Sequence, residues 1–174
     1  MPNLDAVRIR SVQPGDLNHL RDALSWSIHV PPGAEPPDRA LLETPPFRRY
    51  VEGWGRPGDL GLLAESAAPR EEPALLGAAW VQLFTRDEPG YGFVDEATPV
   101  LAIAVAPGMR GRGIGTRLLA GLVESVRDAG FRAISLSVDP ENPAVRLYRR
   151  FGFRETDAPR LIAGDEHPCM LLRV

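Results

Sequence analysis

Residues 110–116 read Arg-Gly-Arg-Gly-Ile-Gly-Thr, between an apolar run over 100–106 and a run with helical spacing over 114–129. A strand that ends in glycines and opens a helix is a place to hold a phosphate. The first turn of a helix carries unpaired N–H groups and a partial positive charge. Glycine lets a ligand approach the backbone, because no Cβ stands in the way. Arg110 and Arg112 add charge in a form suited to phosphate oxygens. A P-loop needs a lysine after its glycines, but all 20 basic side chains here are arginine. A dinucleotide fingerprint needs GxGxxG, and the glycines at 111, 113 and 115 bring the third one place early.

A second block follows at 136–153. Asn142 is a good helix N-cap with Pro143 at the first helical position. Leu147 and Phe151, four apart, are expected to pack inward, which leaves Tyr148 one step round and turned towards a cleft. Gly152 stops the helix.

Residues 110–115 fit [RQ]xxGx[GA], and Asn142, Ala144, Tyr148 and Gly152-Phe153 follow about 30 residues later in a strand-turn-helix setting. Together the two blocks resemble the GNAT superfamily of N-acetyltransferases, closely over 98–153, although the spacing after Asn142 is slightly shorter than the family's. The resemblance implies one domain over 1–174. Its fold would be mixed α/β: a mostly antiparallel sheet of six or seven strands flanked by helices, with a strand splayed from its neighbour before the glycine loop. It implies acetyl-CoA as cosubstrate and no metal. The pantetheine arm would lie on the backbone of Ile103, Ala104 and Val105. The pyrophosphate would lie on the N–H groups of Arg110, Gly111, Arg112, Gly113, Ile114, Gly115 and Thr116. Asn142 would contact the coenzyme arm or serve only as a cap, and Tyr148 would donate a proton to the departing thiolate.

The implied chemistry is direct attack by an amine of a small molecule or peptide on the thioester, in a ternary complex. A primary amine with pKa near 10 must lose a proton first. A phenol suits the thiolate, since its ordinary pKa is about 10, and a strand N–H such as that of Val105 would polarise the carbonyl. The base is where the chain departs from the family. The strand opens Pro99-Val100-Leu101-Ala102-Ile103, with no acid. Glu96 is the candidate base, with Asp95 beside it; a water chain or an already neutral amine is the alternative. A non-catalytic acyl-CoA-binding or sensor protein is a second reading, and a nucleotide-binding module a third. Cys169 lacks a histidine at any diagnostic spacing and reads as a small buried hydrophobe.

These residues need a scaffold. The chain has 174 residues, 44% hydrophobic and 25% charged, with net charge -3; this is an ordinary globular balance with nothing to suggest a nucleic-acid partner. One cysteine and three scattered histidines exclude a disulfide and argue against a zinc cluster. No secretion signal or membrane-length apolar run is visible, so a cytoplasmic location is expected. A homodimer is compatible with the family, but nothing in the letters fixes it.

Strands are expected at 7–12, 60–65, 75–84, 100–106, 133–138, 153–162 and 169–174. Helices are expected after an Asp16 cap, at 47–54, at 114–129 and at 143–151. The 60–65 and 75–84 runs form a hairpin around Pro69 and Pro73. The acceptor walls should come from the proline-rich 25–46 segment and the loop at 86–98. Trp26, Trp80 and Tyr91 could line it, with core packing or surface cover the safer reading for each, and acids at 87, 88, 95 and 96 would favour a cationic acceptor if they face the cleft.

Overall fold

The computed structural model describes residues 7–31, 33–35, 38–67, 74–158 and 160–174. The elements are β1 (Val7–Ser11), α1 (Leu17–Ser27), α2 (Pro45–Arg48), β2 (Leu60–Ser66), β3 (Leu75–Gln82), β4 (Val100–Val105), α3 (Ile114–Asp128), β5 (Ala133–Ser137), α4 (Ala144–Phe151), β6 (Arg154–Thr156) and β7 (Cys169–Arg173). They build one seven-stranded sheet in the order β1-β2-β3-β4-β5-β7-β6. Every neighbouring pair is antiparallel except β4 and β5. Parallel neighbours need a crossover, and α3 supplies it. The result is the mixed, mostly antiparallel sheet that the family resemblance implies.

Alternation along β4 sets the layers. Leu101 joins the α3-side core, with half-buried Ile103 and Val105 packed against it, whereas Val100, Ala102 and Ala104 join the α1-side core. Large residues on one face and small ones on the other let α1 lie close to the sheet. On the α3 side Leu118, Leu119, Leu122 and Val126 are wholly buried, each worth about 1.5–3 kcal/mol relative to exposure. On the other side Trp80 is also wholly buried, its Nε1–H donating to the Tyr50 carbonyl at 2.8 Å. Trp80 is therefore core, not pocket lining.

Several expectations change. Asp16 does not cap α1 through its side chain. Its carboxylate instead takes Arg10 at 2.6 and 2.9 Å and the Gln13 amide at 2.6 Å. Arg10 also reaches buried Glu65 at 2.6 Å, tying β1 to β2. The Arg10 guanidinium, against desolvation, holds the Asp16 carboxyl well below the usual carboxylate range. The helix expected at 47–54 is a single turn starting at Pro45, followed by turns. The strand expected at 153–162 is only three residues long. Pro69 and Pro73 lie outside the described residues, but the antiparallel pairing of β2 with β3 is present.

Candidate active site

The site starts from the two edges of β4. Along one edge six residues pair with β3, from Gln82↔Val100 to Gly77↔Val105. Along the other the parallel partner β5 is met once, at Val100↔Ser135, where the Ser135 amide donates to the Pro99 carbonyl at 3.1 Å. Beyond that rung the strands diverge. The Ala106 amide donates to the Leu76 carbonyl on β3. By the period-two alternation of a strand, Ala104 and Ala102 also turn their amides and carbonyls to β3. Ile103 and Val105 turn theirs to the gap. Of the three strand residues that the sequence singles out, Ala104 therefore has its backbone groups engaged with Ala78; Ile103 offers both of its groups to a ligand and Val105 its amide, since the Val105 carbonyl accepts from Arg110 Nε.

At the end of β4 the chain turns into α3. Gly111 and Gly113 have φ of 74° and 79°, a left-handed conformation that costs an L-residue with a side chain about 1–2 kcal/mol. A Cβ at either would meet no atom within 4 Å, so backbone conformation, not crowding, calls for glycine. Among the described residues, no backbone N–H from 110 to 116 donates to another backbone group, and the first to do so is that of Arg117, to the Gly113 carbonyl at 3.1 Å. This is the unpaired donor set that an anion requires. Gly115 comes close to both sides of the gap: a Cβ there would lie 3.6 Å from Val105 Cγ2 and 3.7 Å from Leu147 Cδ2. A groove of about 510 Å³ continues past the loop between Gly113, Thr116, Arg117, Arg150 and Phe151.

Arg110 behaves differently from a simple phosphate ligand. Its Nε donates to the Val105 carbonyl at 3.2 Å and its Nη2 to the Trp26 carbonyl at 3.1 Å. The guanidinium thus pins the end of α1 to the end of β4. Arg112 is half-buried and makes no ion pair or hydrogen bond with a described residue.

The second block is arranged as follows. Asn142 Oδ1 accepts from the Ala144 amide at 2.9 Å, so its side-chain oxygen caps α4. The buried face of α4 is Val145 and Tyr148, while Leu147 and Phe151 are half-buried at the core's margin. Leu147 and Phe151 thus pack on the core as their spacing predicts, but Tyr148, expected to turn towards a cleft, is buried more deeply than either. The Tyr148 ring packs edge-on against Phe153, centroids 5.7 Å apart. Its hydroxyl makes no hydrogen bond with any described residue, and burial pushes the phenol well above its ordinary value.

Glu96 is not brought to this cluster by any contact. It is exposed, its Oε1 accepting from the Arg86 amide at 3.1 Å. Asp87, Glu88 and Asp95 are exposed as well.

The loop at 86–98, expected as a wall, meets β5 and β7 in a way that sequence reasoning missed. Gly92 presses on the Leu136–Ser137 peptide so closely that no side chain would fit there. Cys169 Sγ, opposite Ser137 in the β5–β7 ladder, donates to the Gly92 carbonyl at 3.3 Å. Burial, with the charge of Asp165, pushes this thiol up to about 11, so it stays protonated. His29 Nδ1, Ser135 Oγ and Ser137 Oγ are buried without a partner among the described residues. On the β5 side the trace in the letters is the alternation Ala-Ile-Ser-Leu-Ser, which puts both serines on one face. Among the described residues no group of His, Cys, Asp or Glu is arranged to hold a metal, and no helix is long and apolar enough to cross a membrane.

Comparison with known proteins agrees with this architecture. The Acetyltransferase (GNAT) family matches over residues 31–153. A mycothiol acetyltransferase of Arthrobacter sp. (strain FB24) is 35% identical over 111 residues, 63% of this chain and 32% of that protein. The mycothiol acetyltransferase of Pseudarthrobacter chlorophenolicus is 31% identical over 156 residues, 88% of this chain and 44% of that one. The chain therefore spans less than half the length of these relatives. Among solved structures, a GCN5-related N-acetyltransferase from Kribbella flavida superposes with TM-score 0.62 at 22% identity, covering 99% of this chain and 100% of that one. A putative acetyltransferase from Salmonella typhimurium, solved with its cofactor acetyl-CoA, gives 0.61 at 20% identity, covering 97% and 94%. With the family matched across most of the sequence and the strand divergence, glycine loop and α4 in their family order, the chain belongs to the GNAT acetyltransferase family.

Proposed function

We propose that this chain acts as one unit that transfers the acetyl group of acetyl-CoA to a primary amine of a small molecule or peptide, by direct attack in a ternary complex. The observation that carries the reading is the gap beside β4, which has unpaired backbone groups along one side and an unpaired N–H cradle at its end. The Ile103 and Val105 backbone would hold the pantetheine arm. The N–H groups of residues 110–116 would hold the pyrophosphate, with Arg112 and the groove at Arg117 and Arg150 supplying positive charge. The coenzyme would supply an acetyl group activated as a thioester.

The chain's own residues then have three tasks. The Val105 N–H lies where it can polarise a carbonyl set along the gap. The Asn142 amide N–H₂ is left to face the coenzyme arm, since the side-chain oxygen is held by α4. Tyr148 keeps its proton at neutral pH, as an ordinary phenol does, and burial raises it further. Its hydroxyl would donate to the sulfur as the thioester breaks and pass its proton to the departing thiolate, the phenol then recovering a proton from solvent. Glu96, exposed and bonded to Arg86, would accept the amine proton only through water.

Coenzyme A release measured with a panel of amines tests the proposal. Turnover is expected, with Tyr148→Phe lowering kcat by about 10²-fold and leaving coenzyme affinity intact. Unchanged kcat would remove Tyr148 from the chemistry. A second reading, an acyl-CoA-binding protein without turnover, draws on the absence of a carboxylate on β4. Tight calorimetric binding with no thiol release from any amine would favour it.

A further inference from the structure

The end of the sheet away from the glycine loop holds a second cavity. β2 begins at Leu60, which pairs with Val81, and Val81 pairs with Leu101 near the start of β4. The glycine loop follows Val105, at the other end of that strand. The cavity has a volume of about 340 Å³, between Val12 after β1, Trp54 and the 55–59 turn, the start of β2, and Ser125 on α3. This is within the ordinary range for small-molecule pockets, about 300–1,000 Å³. Ser125 is eleven residues beyond Ile114 on α3, about 16 Å along the helix, so a ligand here stays clear of the coenzyme cradle.

Two side chains give the cavity its charge. The Asp59 side chain is only 2% exposed. Its Oδ2 accepts from the Gly55 and Arg56 amides, each at 3.0 Å. Its Oδ1 has no hydrogen-bond partner among the described residues. A buried carboxylate oxygen without a donor is costly. Asp59 is part of the cavity wall, so a donor held in the cavity would supply what the fold leaves out. Arg56 is anchored to the core. With the Gln82 amide turned so that Nε2 donates to the Tyr50 carbonyl at 2.7 Å, Gln82 Oε1 accepts from Arg56 Nη2 at 3.2 Å. Arg56 Nε stands 3.7 Å from Asp59 Oδ2, beyond hydrogen-bond range, and Nη1 has no partner among the described residues.

The rest of the wall is uncharged: among the described residues no other Asp, Glu or Arg lines the cavity. Trp54 is set tightly over β2. A Cβ on Gly61 would lie 3.0 Å from Trp54 Cη2 and 2.7 Å from Val12 Cγ2, so the ring, Val12 and the strand backbone are in close contact.

We propose that this cavity binds a free α-amino acid with an apolar side chain, its ammonium on Asp59, its carboxylate on Arg56 and its side chain against Trp54 and Val12. A simple cation would meet Arg56, and a simple anion would meet Asp59. A molecule that carries both charges close together satisfies each. The ammonium nitrogen and the carboxylate carbon of an α-amino acid are joined through two bonds of about 1.5 Å, a spacing of the same order as the 3.7 Å between Arg56 Nε and Asp59 Oδ2. Inside a peptide both charges are lost, so the fit is to the free amino acid. The site stands apart from the acetyl-transfer reading and does not depend on it.

Calorimetry with L-leucine as the probe tests the site. Saturable binding is expected. It should be weaker by about tenfold or more for isocaproate, which lacks the ammonium, and for isoamylamine, which lacks the carboxylate, the size of one charge-assisted contact. Asp59→Asn keeps an oxygen for the turn amides but loses the charge, and should weaken leucine binding by about tenfold. Ser125→Leu fills the cavity from α3 and leaves the turn untouched. It should abolish leucine binding, with melting temperature and coenzyme A affinity near those of wild type, and it decides the matter if Asp59→Asn fails to fold. Leucine and coenzyme A should bind together without competing. Any one of four results overturns the proposal: no saturable leucine binding, analogues that bind as well as leucine, leucine binding that survives Ser125→Leu, or competition between leucine and coenzyme A.

Discussion

β4 has two edges made by the same six residues, and they behave in opposite ways. Towards β3 every residue from Val100 to Val105 has a partner; towards β5 only the first does. The same backbone is structural on one side and available on the other. The difference does not lie in β4 itself. It comes from the neighbours: β5 is held in a five-residue ladder with β7, and the Gly92 loop and the start of α3 stand at the divergence. A strand can therefore be a core element and half of a binding site at once.

Proline separates the two edges most sharply. Ala104→Pro removes an amide committed to β3 and should cost about 3 kcal/mol or more, seen as a large loss in urea stability. Val105→Pro removes an amide that faces the gap; it should fold with a much smaller loss yet bind coenzyme A weakly by calorimetry. Equal damage from both would break the comparison. Asp16→Asn probes the ladder half alone. Removing a half-embedded ionic partner of Arg10 should cost about 2–3 kcal/mol, with coenzyme affinity unchanged. Because the Asp16 carboxyl is held low in the fold, that difference should be full above about pH 4, the ordinary carboxylate value, and shrink as pH falls further. Chemical denaturation at several pH values would read it. Gly113→Ala probes the gap half: a side chain at φ of 79° should cost about 1–2 kcal/mol and weaken coenzyme binding by about tenfold. An unchanged dissociation constant would argue against the cradle.

The legible parts of the molecule are those in which local chemistry decides. Gly111 and Gly113 must be glycine for their backbone conformation, and Asn142 caps α4, so both motifs can be read from letters. The large–small alternation of β4 likewise gives its two faces. The divergence itself was expected only from family likeness, because an unpaired edge depends on what distant segments do. The spacing of Leu147 and Phe151 marks an inward face of α4 correctly, but it cannot say that Tyr148 is buried as well, because Val145 and Phe153 complete that packing. Asp16 has the letters of a cap, and no local rule foresees that Arg10 on β1, itself held by Glu65 on β2, takes its carboxylate. The loop at 86–98 can be expected as a wall, but its contact with β7, Cys169 to Gly92, joins segments 77 residues apart that no short-range pattern connects.

The single rung between β4 and β5 also bears on how this protein melts. The sheet is in effect two smaller sheets, one of four strands and one of three, sharing one bridge. A ligand whose amides bond Ile103 and Val105 would act as a substitute strand across the break. Heat resistance should then depend on ligand concentration: at about 100 times the dissociation constant the gain is about 2.7 kcal/mol, or several degrees for a chain of this size. The melting temperature of the free protein measures the broken sheet, and that of the ligand-bound protein measures the mended one.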